Sequence, residues 1–142
     1  MIIPDINLLI YAHNAAAQQH AAARRWWEAL LGAERSVGIP WAVAMGFIRL
    51  VTHPNVLEAP LRPAMAVELV KAWFSVPSVR VVETGPRHLE LLEELSTATG
   101  VLGSLTTDTH LAALAIEHQA ELHSNDLDFT RFPGLKWHNP LL

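Results

Sequence analysis

The chain has no cysteine, a single tyrosine, two lysines and only four aspartates among its 142 residues. Without cysteine there are neither disulfides nor thiolate ligands, so a thiolate zinc site is excluded and any site chemistry falls to carboxylates, imidazoles and hydroxyls. No apolar run approaches the roughly 20 residues a bilayer-spanning helix requires, because Arg24, Arg49, Glu68 and Lys71 interrupt the candidates. A soluble protein is expected. The first five residues carry no basic segment ahead of an apolar stretch and no small-residue cleavage site, so they read as a first strand and a cytoplasmic address follows. Phosphate-binding loops of the Gly-x-x-x-x-Gly-Lys type, Gly-x-Gly-x-x-Gly turns and Gly-x-Ser-x-Gly elbows are also missing, which argues against nucleotide hydrolysis, dinucleotide binding and serine hydrolysis in turn. The eight histidines form no His-Glu-x-x-His motif and are widely spread, which disfavours a histidine zinc site. A formal charge of −4 speaks against tight nonspecific binding of nucleic acid through a general basic surface. A nucleic-acid substrate would need a local arginine patch and bound cations.

What is present is hydrophobic residue in quantity, 51% of the chain, arranged as short apolar segments separated by helical patterns. Strands are expected over residues 1–4, 36–39, 79–82 and 120–123, with a short edge strand over 135–138. Helices are expected over 7–14, 18–32, 41–52, 64–74, 87–99 and 111–119. In the second of these the apolar stripe is read as Ala22, Trp26, Ala29 and Leu30. Pro40 is a suitable first helical residue and Gly100 a suitable stop, while Thr106, Thr107 and Asp108 at the end of a loop over residues 100–105 are helix-capping types. Strands alternating with helices indicate a parallel sheet covered on both faces, since parallel neighbours need crossover connections. One domain over residues 1–142 is expected, with no repeat or linker to divide it.

The acids are unevenly distributed. Of ten glutamates, Glu28, Glu68, Glu90, Glu93, Glu94 and Glu117 lie in expected helices, where a long carboxylate solvates an outer face. Asp5 and Asp126 instead follow expected strands and Asp108 opens a helix, and the crevice outside the carboxyl ends of parallel strands is where open α/β sheets bind ligands. Each aspartate alone is accounted for by helix capping or turn formation. Taken jointly, carboxylates gathered at one end of a sheet repel one another and raise each other's pKa unless a cation neutralises them. Hard oxygen ligands favour Mg²⁺ or Mn²⁺ for that task. His123 adjoins the acidic turn and is either a phosphate contact or a half-buried strand histidine.

Four segments then form an ordered set: Ile3-Pro4-Asp5-Ile6-Asn7, Gly46-Phe47-Ile48-Arg49 with Thr52, Thr106-Thr107-Asp108, and Ser124-Asn125-Asp126-Leu127-Asp128-Phe129. With Gly85-Pro86-Arg87-His88-Leu89 and Leu135-Lys136-Trp137, they resemble the VapC family of PIN-domain toxins over essentially the whole chain, and most closely a branch abundant in mycobacteria. The resemblance implies a three-layer α/β/α sandwich around a mostly parallel sheet of four to five strands. It implies Mg²⁺ or Mn²⁺ dependence, endonucleolytic cleavage of RNA of the transfer or ribosomal class, and neutralisation by a cognate VapB-like antitoxin. Position by position, it makes Asp5, Asp108 and Asp126 the core acids and metal ligands, with Asp128 an additional or outer ligand. Asn7, Thr107 and Ser124 become supporting polar groups. Many members carry a glutamate on the helix after the second strand, whereas residues 41–52 here hold no acid and Gly46 stands near that place. The branch with a Gly-Phe-x-Arg helix shares this pattern, so the difference implies a variant site in which metal affinity or number changes.

On this reading one or two cations activate a water for in-line attack on a phosphodiester. Arg49, alone on an apolar helix, either holds a substrate phosphate or pairs internally with an aspartate. Arg24, Arg25 and Arg131 extend an RNA track or are solvated surface. Trp26, Trp27, Trp41, Phe47, Trp73 and Phe74 are core for the most part, with a subset lining a homodimer contact or a groove for an antitoxin helix. Two other classes stay open: a Mg²⁺-binding phosphoacceptor domain, which would need a lysine near the site although only Lys71 and Lys136 exist, and a catalytically silent scaffold.

Overall fold

The computed structural model describes residues 1–100 and 103–142. Five short strands, β1 (Ile2–Pro4), β2 (Val37–Pro40), β3 (Val79–Val82), β4 (Glu121–His123) and β5 (Lys136–His138), form one sheet in the order β3-β2-β1-β4-β5. Every neighbouring pair is parallel, with Ile3 opposite Leu122 and Ile39 opposite Val81. Six helices supply the crossovers: α1 (Ile6–His13), α2 (His20–Leu31), α3 (Trp41–Val51), α4 (Pro63–Phe74), α5 (His88–Thr99) and α6 (Thr106–Glu117). α1 packs on α2 and α3, and α3 on α4, while α5 packs on α6. Right-handed connections place the first group on one face of the sheet and the second on the other. This is the three-layer α/β/α arrangement.

Covering both faces explains why the central strands are apolar without alternation: Ile2, Ile3, Val37, Ile39 and Leu122 are all buried. On the α1–α4 face, aromatic rings fill the layer. Phe47 and Trp73 meet edge to face at 4.5 Å, and Trp27 meets Trp73 at 5.9 Å. His13 is built into the same cluster by two hydrogen bonds. Its Nδ1 donates to the Leu9 carbonyl at 2.7 Å, which leaves Nε2 to accept from the Trp73 indole at 3.2 Å. Burial of that neutral ring, the dominant cause, holds its pKa below the usual histidine value.

Several boundaries differ from expectation. α6 starts at Thr106, five residues ahead of the expected helix, so Thr106, Thr107 and Asp108 form its first turn and no side chain caps it. Thr109 helps to hold this turn by donating to the Leu105 carbonyl at 2.8 Å. The buried stripe of α2 is Ala23, Trp27 and Leu30, one step round from the expected stripe, and Ala29 is exposed. Short 3-10 helices at Gly103–Leu105 and Leu127–Arg131 were not foreseen. Pro40 ends β2 and caps α3 from outside it. Gly100 closes α5 with φ +66°, a left-handed conformation that glycine adopts at low cost. Val101 and Leu102, within the expected loop over residues 100–105, lie outside the described residues. Among the described residues no helix is long and apolar enough to cross a membrane.

Trp73 carries the aromatic layer, so Trp73→Ala is expected to cost about 3–5 kcal/mol of folding stability. Urea unfolding followed by far-UV circular dichroism measures it, and a loss under about 1 kcal/mol would show that the layer collapses around the missing ring.

Candidate functional site

The order of strands reverses between β1 and β4, the two central neighbours at which successive crossovers depart to opposite sides. In open parallel sheets the crevice outside the carboxyl ends of the strands lies at such a switch point. Asp5 follows β1 directly, and Ser124, Asn125 and Asp126 follow β4.

Asp5 is buried, at 8% exposure, and both of its carboxylate oxygens are held. Oδ1 accepts from the Ile6 amide at 2.7 Å, which caps α1, and Oδ2 accepts from the Ser124 hydroxyl at 2.7 Å. Ser124, fully buried, also accepts from the Asp126 amide at 3.0 Å through the same oxygen. One hydroxyl therefore ties the turn after β4 to the acid after β1. Asp126 caps the 3-10 helix Leu127–Arg131 by accepting from the Asp128 amide at 2.9 Å. Asp128 in turn receives Arg131, whose Nη2 lies 3.3 Å from Oδ1. Asp108 comes in from the other side on the first turn of α6.

One carboxylate oxygen from each of Asp108, Asp126 and Asp128 lies within 4.8 Å of the others. This crowding has an electrostatic signature. Burial, followed by the neighbouring charges of Asp5, Asp126 and Asp128, pushes the Asp108 carboxyl up from 3.8 to about 6. Asp5 is also raised, chiefly by burial and further by Asp126, against the lowering effect of its hydrogen bonds from Ser124 and Ile6.

The chemistry of the donor set suits a hard divalent cation. All donors are oxygens, and they lie within 4.8 Å of one another, a span that can close to the separation of about 4.2 Å that opposed ligands take around Mg²⁺. Asn7, two positions after Asp5, has a buried Oδ1 with no hydrogen-bond partner among the described residues, an acceptor left open to a cation or to water.

The remaining expected site residues fall in different places. Thr107 is exposed and donates no hydrogen bond to an aspartate among the described residues. Arg49 sits exposed in the last turn of α3 and makes no ion pair among the described residues, so the internal pair with an aspartate is not formed. Arg24 pairs with Glu28 on the outer face of α2. His123 is buried on the α2 side of the sheet, where Nδ1 accepts from the Trp26 indole at 3.0 Å and Nε2 donates to Glu121 at 2.7 Å. It is a strand histidine with both nitrogens engaged. Gly46 packs under Ile6, and a Cβ there would stand 2.5 Å from Ile6 Cδ1. Ile6 thus fills the space into which a side chain at position 46 would project. Sequence reasoning missed the Asp128–Arg131 pair, although its i, i+3 spacing could have shown it. It also missed a Glu117–His88–His110 chain, which is assembled across two helices and leaves no local signal.

The PIN domain family profile matches residues 2–135. Ribonuclease VapC33 of Mycobacterium tuberculosis is 45% identical over 141 residues, covering 99% of each chain. Ribonuclease VapC37 of the same species is 40% identical, covering 99% of this chain and 97% of its own. Among solved structures, VapBC2 from Rickettsia felis bound to a promoter DNA fragment aligns with a TM-score of 0.72 at 19% identity, covering 98% of both chains. Mycobacterium tuberculosis VapC20, described as a toxin that cleaves the sarcin-ricin loop, aligns with a TM-score of 0.66 at 20% identity, covering 96% of this chain and 99% of its own. The fold, the crevice between β1 and β4 and these full-length relationships together establish that the chain belongs to the PIN-domain family of VapC ribonucleases.

Proposed function

We propose that this chain is a divalent-metal-dependent endoribonuclease and the toxin of a toxin–antitoxin pair, acting in the cytoplasm on RNA of the transfer or ribosomal class. The observation that carries the reading is the convergence of Asp5, Asp108, Asp126 and Asp128, from three separate segments, on one crevice. Full-length relatives named ribonucleases support it.

Asp108, Asp126 and Asp128 would hold Mg²⁺ or Mn²⁺, with Asp5 and the free Oδ1 of Asn7 at its margin. A bound cation would supply a water of lowered pKa and charge stabilisation for the leaving oxygen. The chain's own residues do the positioning. Ser124 fixes the rotamer of Asp5 and, through the Asp126 amide, the turn that aims Asp126. Arg131, half-exposed beside Asp128, and Arg49 are the guanidinium groups offered to substrate phosphates. A phosphoacceptor role is disfavoured, because Lys71 is spent on Glu68 at the surface of α4 and Lys136 is exposed on the edge strand β5.

The antitoxin would occupy an apolar groove of about 470 Å³ between α3 and α4, lined by Trp41, Met45, Ile48, Val67, Val70 and Phe74. Trp41 and Met45 are half-exposed there, and an amphipathic helix would bury them. A second copy of the chain, giving a homodimer, is the competing occupant.

Asp5→Asn and Asp108→Asn are each expected to lower cleavage of total RNA in Mn²⁺ by on the order of 100-fold or more, with EDTA abolishing cleavage by the wild type. Wild type and variants that leave RNA equally intact while the metal binds would refute the nuclease reading. The pH dependence has a definite sign. The folded pKa of Asp108, about 6, lies above its ordinary 3.8, so its contribution to stability is full below the lower value and is lost as pH rises through the upper one. In EDTA, Asp108→Asn should therefore melt above wild type at pH 7.5 and converge with it near pH 4, as calorimetry would show; a difference independent of pH contradicts the crowding. Met45→Glu with Val67→Glu should abolish co-purification with the antitoxin while RNA cleavage persists. Loss of a dimer mass by light scattering, with antitoxin still bound, would instead assign the groove to the second copy.

A further inference from the structure

Asn139, the residue after β5, is a buried polar side chain outside the acidic set. Both ends of its amide are engaged. Oδ1 accepts from the Leu141 backbone amide at 3.0 Å, and Nδ2 donates to Asn125 Oδ1 at 3.0 Å. A backbone N–H can only donate, so the oxygen of Asn139 must face Leu141 and its NH2 must face Asn125. One backbone donor therefore fixes which way the amide points.

Asn125 stands between Ser124, which ties the turn to Asp5, and Asp126, the first acid of the turn. The parallel ladder of β4 and β5 pairs His123 with His138, and the Ser124 amide then donates to the His138 carbonyl at 3.1 Å. The bond between Asn139 and Asn125 continues this pairing one residue further through side chains. Because β4 lies between β1 and β5, the turn is held from both sides, by Asp5 on one and by His138 and Asn139 on the other.

The turn needs such a brace. One carboxylate oxygen each of Asp126, Asp128 and Asp108 lies within 4.8 Å of the others, and like charges push apart. Bonds inside the turn, from the Asp128 amide to Asp126 Oδ1 at 2.9 Å and from the Phe129 amide to the Asp126 carbonyl at 3.4 Å, shape it without fastening it to the sheet. Buried Phe129 anchors the far end. The near end depends on Ser124 and Asn125. A neutral amide suits the task, since a carboxylate would add to the repulsion and a lysine or arginine would compete with a cation for the acids.

We propose that Asn139 is a positioning residue for the cation site, holding the turn that bears Asp126 and Asp128 through its hydrogen bond to Asn125, so that the ion meets a preformed set of oxygens. The inference rests on the metal-dependent reading, and its test is metal binding itself, without RNA. Mn²⁺ is titrated into the full chain, and the free ion is read by electron paramagnetic resonance.

Asn139→Ala and Asn125→Ala should each weaken Mn²⁺ binding about tenfold, as loss of an outer partner does at metal sites. The double variant should bind no more weakly than either single one, because both remove the same bond. A general loss of packing would instead make the two effects add. In the metal-free chain, the Asp126 and Asp128 amide signals of Asn139→Ala should broaden in nitrogen–proton NMR and sharpen again in saturating Mg²⁺. Unchanged Mn²⁺ affinity in Asn139→Ala, or additive losses in the double variant, overturns the brace. Should Asn139→Ala fail to fold, the half-buried Asn125→Ala decides alone, and wild-type affinity there overturns it equally. A wild type that binds no Mn²⁺ removes the brace and the metal-dependent reading together, whereas Mn²⁺ binding with the expected coupling but no RNA cleavage sinks the nuclease reading alone.

Discussion

The hydrogen bond from the Ser124 hydroxyl to Asp5 Oδ2 joins residues 119 positions apart and sets the geometry on which the acidic crevice depends. It is made in full burial, where a hydrogen bond to a charged group is strong and an unmet carboxylate is costly. The same oxygen receives the Asp126 amide, so the turn after β4 cannot swing without releasing Asp5. Parallel pairing of Pro4 with His123 brings the two chain segments alongside each other, and the serine converts that alignment into a fixed separation of carboxylates. Asp108 arrives on a helix packed from the opposite layer and finds the negative charge already in place. Its raised proton affinity follows from burial first and from the neighbouring carboxylates second, and a divalent cation is the simplest ligand that would offset both.

The division of labour along the sheet follows from its topology. At the β1/β4 switch point the strand ends carry acids; at the β2/β3 ends they border a cavity with Trp41 and His110 in its lining. α6 spans the two regions. Position 46 shows how side-chain volume shapes the crevice: with glycine there, Ile6 can lie over α3, and the space is closed by hydrocarbon in place of a further carboxylate. Fewer acids mean less repulsion to offset.

Much of this was legible in the primary structure, for identifiable reasons. The strands announced themselves because parallel strands buried on both faces must be apolar throughout, as Ile2, Ile3, Val37 and Ile39 are. Aspartates directly after strands pointed to the crevice because topology alone puts strand ends together. Helix starts were harder. Thr106, Thr107 and Asp108 have the composition of a cap, yet the helix begins with them, because the preceding 3-10 turn already directs the chain into helical geometry. The stripe of α2 was displaced by one residue since Trp26 and Trp27 are both apolar, and only the position of His123 decides which ring reaches the core and which spends its N–H on the strand histidine. The Glu117–His88–His110 chain was invisible, because no spacing rule links residues on two helices whose packing is not yet known.

Trp41 belongs to two surfaces at once. Its ring packs on Phe74 at 5.8 Å along the apolar groove, and the same residue walls the cavity that holds His110. A helix lodged between α3 and α4 would press on that ring without approaching the carboxylates. A partner seated in the groove would therefore reach the cavity through one aromatic side chain, with no acid of the crevice among the residues that line either surface.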